Sequence, residues 1–242
     1  MKTTKRRKTV YIVLQCTFAA IFIAGASIAV FPFVNNIYYS QKDAAIIKDF
    51  QDEASELAND KKQVIYADLF QKLQEYNEDL VINGQNKIRD MLEYAAFPVN
   101  IEDYDLPENV IGYISIPKIE QELPLYLGAN YDNMANGATV LGYSSAPIGG
   151  KNTNCVIAGH CGWNGTDKFR YLSNLKVGDE VIVTNIWDTL TYHVVETKII
   201  YPNEFNEILI QQDKDMITLI TCHSYASHWT YRYVVYCERA IN

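Results

Sequence analysis

The tightest constraint on this chain is a run from Thr9 to Val34 that carries no charge. Five positive residues precede it: Lys2, Lys5, Arg6, Arg7 and Lys8. Roughly 20 apolar residues suffice to cross a bilayer as a helix, because the backbone groups then satisfy one another away from water. Basic residues before such a run favour a cytoplasmic N-terminus. A cleaved leader would need a shorter apolar region ending at small residues. Gly25-Ala26-Ser27 offers such residues, but the run continues well past them. The expectation is a cytoplasmic tail over 1–8 and an uncleaved single-pass anchor over 9–34. The rest of the chain then lies outside the cell.

Charge and composition bound what that remainder does. The formal net charge is −8, and setting aside the five N-terminal positives leaves −13. Nucleic-acid binding wants clustered positive charge, so it is not expected. Of the 242 residues, 48% are apolar and 12% aromatic, which suits a packed core. There are five cysteines, at 16, 155, 161, 222 and 237. Cys16 falls in the apolar run, and the others lack CxxC or paired-histidine spacing, so zinc is not expected. Cys155 and Cys237 sit in strand-like runs and read as small buried hydrophobes.

Residues 35–80 read as helical. Ile65, Leu69, Leu73, Tyr76 and Leu80 recur at spacings of three and four and mark one apolar face. A free stalk and a helix packed on the domain both fit. Residues 81–109 hold Gly84, Pro98 and Pro107 and read as a linker or a lid-like loop. From Val110 to the end the texture changes to short strand-like runs at 110–116, 138–143, 154–159, 179–186, 190–200, 215–221 and 231–238. Only short helical pieces fit between them, near 131–136 and 166–174. The pattern predicts a closed or nearly closed β-barrel over 110–242.

Four cysteines lie in this barrel region. Cys222 ends the run "DMITLITC", at the lip of a strand, where a thiol can be presented to a substrate. A cysteine nucleophile needs a base. His223 is its neighbour, and adjacent strand residues face opposite ways. His193 lies inside an alternating strand. His228 sits in the loop after Cys222 and could touch a substrate. His160 closes "NCVIAGH", where Gly159 lets the backbone approach another segment closely. Acyl transfer also needs positive charge where an oxyanion develops. Arg232 opens a strand that is otherwise apolar, and a hairpin joining 215–221 to 231–238 would bring it to Cys222. Arg89, Arg170 and Arg239 read as ordinary surface charges.

"TLITC" (218–222) resembles the signature strand of sortases, the cysteine transpeptidases of Gram-positive cell surfaces. "VIAGH" (156–160) is similar to the strand that ends in their histidine, and "YRYVVYCER" (231–239) to the strand that carries their arginine. The resemblance runs in order through "IGYISIPKIEQELPLYLG", "NGATVLGYSSAPIGGKNTNCVIAGH", "FRYLSNLKVGDEVIV" and "TYHVVETKII". It implies a mainly β fold, an eight-stranded sortase β-barrel with short helices, preceded by the anchor helix and a helical region. It implies that Cys222 attacks the Thr–Gly bond of an LPXTG-like sorting signal. His160 would act as general acid and then base, and Arg232 would steady the oxyanion. Thr221, in the signature, and His228 are the weaker candidates for substrate contact. No metal or cofactor is demanded.

The texture is most similar to class C, the pilin-polymerising sortases. The implied partners are sorting-signal-bearing surface or pilin proteins and an amine acceptor. That acceptor is a pilin lysine or, for a housekeeping-type enzyme, the peptide of a cell-wall precursor. Residues 81–109 lack the Asp-Pro-aromatic tripeptide with which class C lids plug the site. Cys161, beside His160, suggests a reversible disulfide with Cys222. A non-enzymatic barrel with a structural cysteine is the alternative reading. A papain-like hydrolase fits poorly, because there the cysteine opens a helix and the histidine follows it.

Overall fold

The computed structural model describes residues 2–56, 60–85, 97–162, 165–223 and 230–240. The first helix, α1 (Lys2–Ser55), is continuous, so anchor and stalk are one element with no break near residue 34. Pro32 lies inside it. From Tyr11 onward it is long and apolar enough to cross a membrane. Its large side chains there point outward, with Phe22 and Ile28 each 76% exposed. Such a surface is unfavourable in water and suits hydrocarbon. The hydroxyls of Thr17 and Ser27 donate to the carbonyls of Val13 and Ile23 four residues back, so neither is left unpaired in an apolar medium.

The C-terminal third of α1 buries Ile46, Ile47 and Phe50 against the rest of the molecule. Helix α2 (Asp60–Asn83) packs as well, through Tyr66, Leu69, Leu73 and Leu80. It is therefore a docked helix rather than a free stalk. The stripe differs from the expected one at its start, since Ile65 is 46% exposed and Tyr66 takes the inward position. A spacing of three before Leu69 serves that face as well as a spacing of four. The Tyr66 hydroxyl also has a partner there, Glu53 Oε1 at 2.6 Å. In the expected linker, residues 81–83 continue α2, and Phe97, Ile101, Tyr104 and Leu106 are buried. Phe97 stacks edge-on against Tyr76 of α2, with ring centroids 4.7 Å apart.

Eight strands close a barrel: β1 (Val110–Ile116), β2 (Gln121–Leu127), β3 (Ala138–Val140), β4 (Thr153–Ala158), β5 (Glu180–Asn185), β6 (Thr189–Ile200), β7 (Asp215–Cys222) and β8 (Arg232–Arg239). Their order around the barrel is β1-β2-β3-β4-β7-β8-β6-β5. The pairs β2·β3 and β4·β7 are parallel and the rest antiparallel. Strand β2 was not among the runs read from the sequence. Pro124 sits in its middle and masks the pattern, yet it pairs with Tyr113 of β1. A short helix, α3 (Tyr131–Asn136), falls where a helical piece was expected. The other expected piece, 166–174, is turns and one 3₁₀ turn at Leu172–Asn174.

Two apolar layers flank the β4·β7·β8 wall. One holds Ile157, Ile217, Leu219, Val235, Cys155 and Cys237. The other holds Val156, Ala158, Met216, Ile220, Val234 and Tyr236, covered by Met134 of α3 and Ile208. A wall covered on both faces explains why β7 reads as a nearly unbroken buried run. Both cysteines expected to be small core residues are buried and unpaired.

Candidate active site

Strand register builds the site. In the β7·β8 ladder Cys222 lies directly opposite Arg232. In the β4·β7 ladder Ala158 lies beside Ile220, and the Gly159 N–H donates to the Ile220 carbonyl at 3.1 Å. Two residues further, His160 comes level with Cys222. Side chains alternate along a strand, so His160, Cys222 and Arg232 continue the rows of Ala158, Ile220 and Val234 and share one face. All three are half-buried, at the ends of their strands. The face is the second apolar layer, so the three polar groups emerge where that layer stops.

Local contacts fix the histidine. The Thr221 hydroxyl, itself buried, donates to the Gly159 carbonyl at 2.7 Å and ties β7 to the last residue before His160. That bond gives Thr221 a packing role. The Phe169 ring lies against Gly159, where an added Cβ would stand 2.7 Å from Phe169 Cδ2. This is the close approach expected of Gly159. The Phe169 N–H donates to the His160 carbonyl at 2.9 Å. The Arg232 Nη1 donates to the Tyr231 carbonyl at 3.2 Å.

Electrostatics differ around the three groups. Burial, and next the positive charge of Lys168, hold His160 below its ordinary pKa. Burial pushes the Cys161 thiol up, and the charge on Cys222 adds to this while Arg170 opposes it. That coupling puts Cys161 in the electrostatic field of Cys222. Both thiols are half-buried and free. His228 lies outside the described residues, as does Arg89. His223 turns its ring onto Tyr233, with centroids 6.0 Å apart.

Two arginines read as ordinary surface charges have structural work. The Arg170 guanidinium covers Gly162, whose φ of +80° suits glycine, and a Cβ there would lie 2.4 Å from Nη2. Arg239 lies over the Tyr192 ring at 5.3 Å, with its side chain 26% exposed. Sequence reasoning missed Lys168 and Asp43, which are buried at 2% and 5% exposure. A lysine in a loop and an aspartate in a helix carry no periodic signal of burial. Among the described residues no cluster of His, Cys, Asp and Glu could hold a metal.

A thiol, an imidazole and a guanidinium side by side are equipped for nucleophilic acyl transfer. Residues 114–240 match the family model described as "Sortase domain". Sortase D of Bacillus subtilis is 31% identical over 130 residues, 53% of this chain and 63% of that protein. The chain thus spans less than two thirds of that relative's length. Among solved structures, sortase C of Streptococcus pneumoniae is 29% identical with a TM-score of 0.67, covering 82% of this chain and 97% of the other. Clostridium perfringens sortase C, solved with the C-terminal cell wall sorting motif, is 30% identical with a TM-score of 0.66, covering 82% of this chain and all of the other.

Proposed function

The chain belongs to the sortase family, and from that premise we propose that it is a membrane-anchored cysteine transpeptidase. The observation that supports this reading is the strand register: Cys222 lies opposite Arg232, and the pairing of Ala158 with Ile220, followed two residues past the end of β4, leads to His160 at the same end of the barrel. Cys222 gives its thiol proton to His160, and Sγ attacks the carbonyl of the Thr–Gly bond in an LPXTG-like sorting signal. Arg232 faces the oxygen that becomes negative and stabilises it in a site partly shielded from water. His160 protonates the departing amine, leaving a thioester between the substrate threonine and Cys222. An incoming amine attacks the thioester and gives a proton to His160, which passes it to the departing Cys222 sulfur. The apolar part of α1 anchors the enzyme with its N-terminus in the cytoplasm and the barrel outside.

The acceptor in this reading is a pilin lysine, as suits a class C enzyme. Its support is the likeness to proteins named sortase C and the helices packed before the barrel. The full-length protein, incubated with a sorting-signal peptide and an amine, should yield the ligated product and free the Gly end. Cys222→Ala should abolish it. Product from Cys222→Ala would sink the mechanism. Parallel reactions with a pilin-derived lysine peptide and a cell-wall precursor peptide decide the acceptor.

A further inference from the structure

Residues 165–169 lie between α1 and His160. A Cβ on Gly165 would stand 3.0 Å from Pro32 Cα, and Pro32 is inside the uncharged run. Asn36 holds Asp167 twice: its Nδ2 donates to Asp167 Oδ2 at 3.3 Å, and its Oδ1 accepts from the Asp167 N–H at 3.2 Å. Further along the helix, Lys168 Nζ pairs with Asp43 Oδ2 at 3.7 Å. Lys42 Nζ donates to Asn136 Oδ1 of α3 at 2.9 Å, and Gln51 Nε2 donates to the Tyr113 hydroxyl of β1 at 3.1 Å. The barrel thus rests along α1 from Pro32 onward. Of these contacts, the one through Gly165 lies nearest the N-terminus of the helix.

Helix geometry sets these contacts against a bilayer. The uncharged run ends at Val34, and Asn35 and Asn36 follow it. Tyr38 and Tyr39 come just beyond, with ring centroids 5.4 Å apart and edge-on. Rings with a polar tip collect at the membrane–water interface, so this pair marks the outer boundary. A helix rises 1.5 Å per residue, which puts Asn36 about 3 Å past Val34. The headgroup layer on each side is roughly 5–7 Å deep, so Asn36 falls within it. Asp167 is held at that level, and Arg170 Nε pairs with Asp167 Oδ1 at 3.5 Å while its side chain stays exposed. Tyr171, next in the chain, is exposed as well. The Phe169 N–H bonds the His160 carbonyl at 2.9 Å. Two residues separate Phe169 from Asp167, so the His160 backbone lies within about 13 Å of the Asn36 side chain.

We propose that residues 165–171 form a bilayer-contact surface, which Pro32 and Asn36 seat in the outer headgroup layer beside the His160 end of the barrel. The inference rests on reading α1 as the anchor with the barrel outside the cell. Arg170 offers its guanidinium to lipid phosphate, which it fits as a fork of donors. Tyr171 offers a ring with a polar tip, suited to the same depth. Attraction to anionic lipid is not what seats the surface, because the chain beyond the five N-terminal positives carries −13. The grip of α1 sets the depth, so the contact forms on zwitterionic lipid.

The test is fluorescence quenching of the full-length protein in phosphatidylcholine nanodiscs that carry a nitroxide on the lipid headgroup. Cys16→Ala, Cys161→Ala and Cys222→Ala leave Cys155 and Cys237, which are buried. A bimane is then attached in turn at Ile37→Cys, Tyr171→Cys and Ser55→Cys, three exposed positions. Ser55 stands about 27 Å beyond Ile37 along α1. Quenching at 37 and at 171 should each exceed that at 55 several-fold. Quenching at 37 without quenching at 171 overturns the proposal and leaves the anchor reading standing. Equal quenching at 171 and 55 overturns it too, because no one surface then faces the lipid. Quenching at none of the three refutes the anchor reading, and the proposal with it. Arg170→Cys takes the place of Tyr171→Cys if that variant does not fold.

Discussion

Replacing Gly159 with alanine should damage the site through a single steric contact. The added Cβ would stand 2.7 and 2.8 Å from Phe169 Cδ2 and Cγ, closer than carbon atoms pack. Phe169 has no exposed surface, so its ring cannot swing into solvent. Backbone strain is not the cause, because Gly159 has none of the positive φ seen at Gly162. Overpacking of this kind costs about 1–3 kcal/mol. The displacement falls on the residue before His160, so turnover should fall with stability. Phe169→Leu opens space near Gly159, at about 1 kcal/mol or more of lost packing on its own. The double variant should then be more stable than the sum of the two single losses, by more than the ~0.5 kcal/mol scatter of additive pairs. Urea unfolding followed by tryptophan fluorescence, with peptide ligation measured on the same preparations, reads both quantities. Losses that add within that scatter would refute the contact as the cause.

Two further outcomes are expected. Thr221→Val keeps the buried shape but removes the bond to the Gly159 carbonyl, so it should cost about 1–3 kcal/mol in urea unfolding. Thr221→Ser should stay near wild type, and equal loss in both would show that the hydroxyl is not the cause. Hydrogen peroxide should oxidise one of Cys161 and Cys222 to a sulfenic acid, which the other thiol displaces as water to form a disulfide. Ligation should stop, return with dithiothreitol, and coincide with a linked peptide in mass spectrometry. Oxidised, inactive protein with no such peptide would exclude the pair.

The barrel, and the end of it that carries the candidate residues, were legible because alternation is a local property. Seven of the eight strands announce themselves through apolar and β-branched residues. Cys222 and Arg232 become partners as soon as "DMITLITC" and "RYVVYCER" are folded into a hairpin. His160 required one more step, since β4 and β7 are parallel and joined through two intervening strands. The sequence marks that step only through Gly159, whose missing side chain signals a close approach without saying to what. Strand β2 was hidden because Pro124 interrupts the alternation on which strand reading depends.

What the sequence conceals is contact between elements far apart in the chain. Asn36 and Asp167 lie 131 positions apart, and each alone looks like a solvated polar residue. Buried charge leaves no periodic trace, because its burial depends on the partner surface and not on neighbours along the chain. The consequence is functional. α1 reads as an anchor and a stalk, two parts whose only task is to hold a catalytic domain outside the membrane. In the fold the end of the apolar run and the segment beyond it grip the loop at 165–169, through Pro32, Asn36 and Asp43. With α1 as the proposed anchor and His160 as the proposed acid–base group, this grip restricts how the candidate site can turn relative to the bilayer. Cutting the chain within that segment would therefore remove contacts to the site as well as the tether.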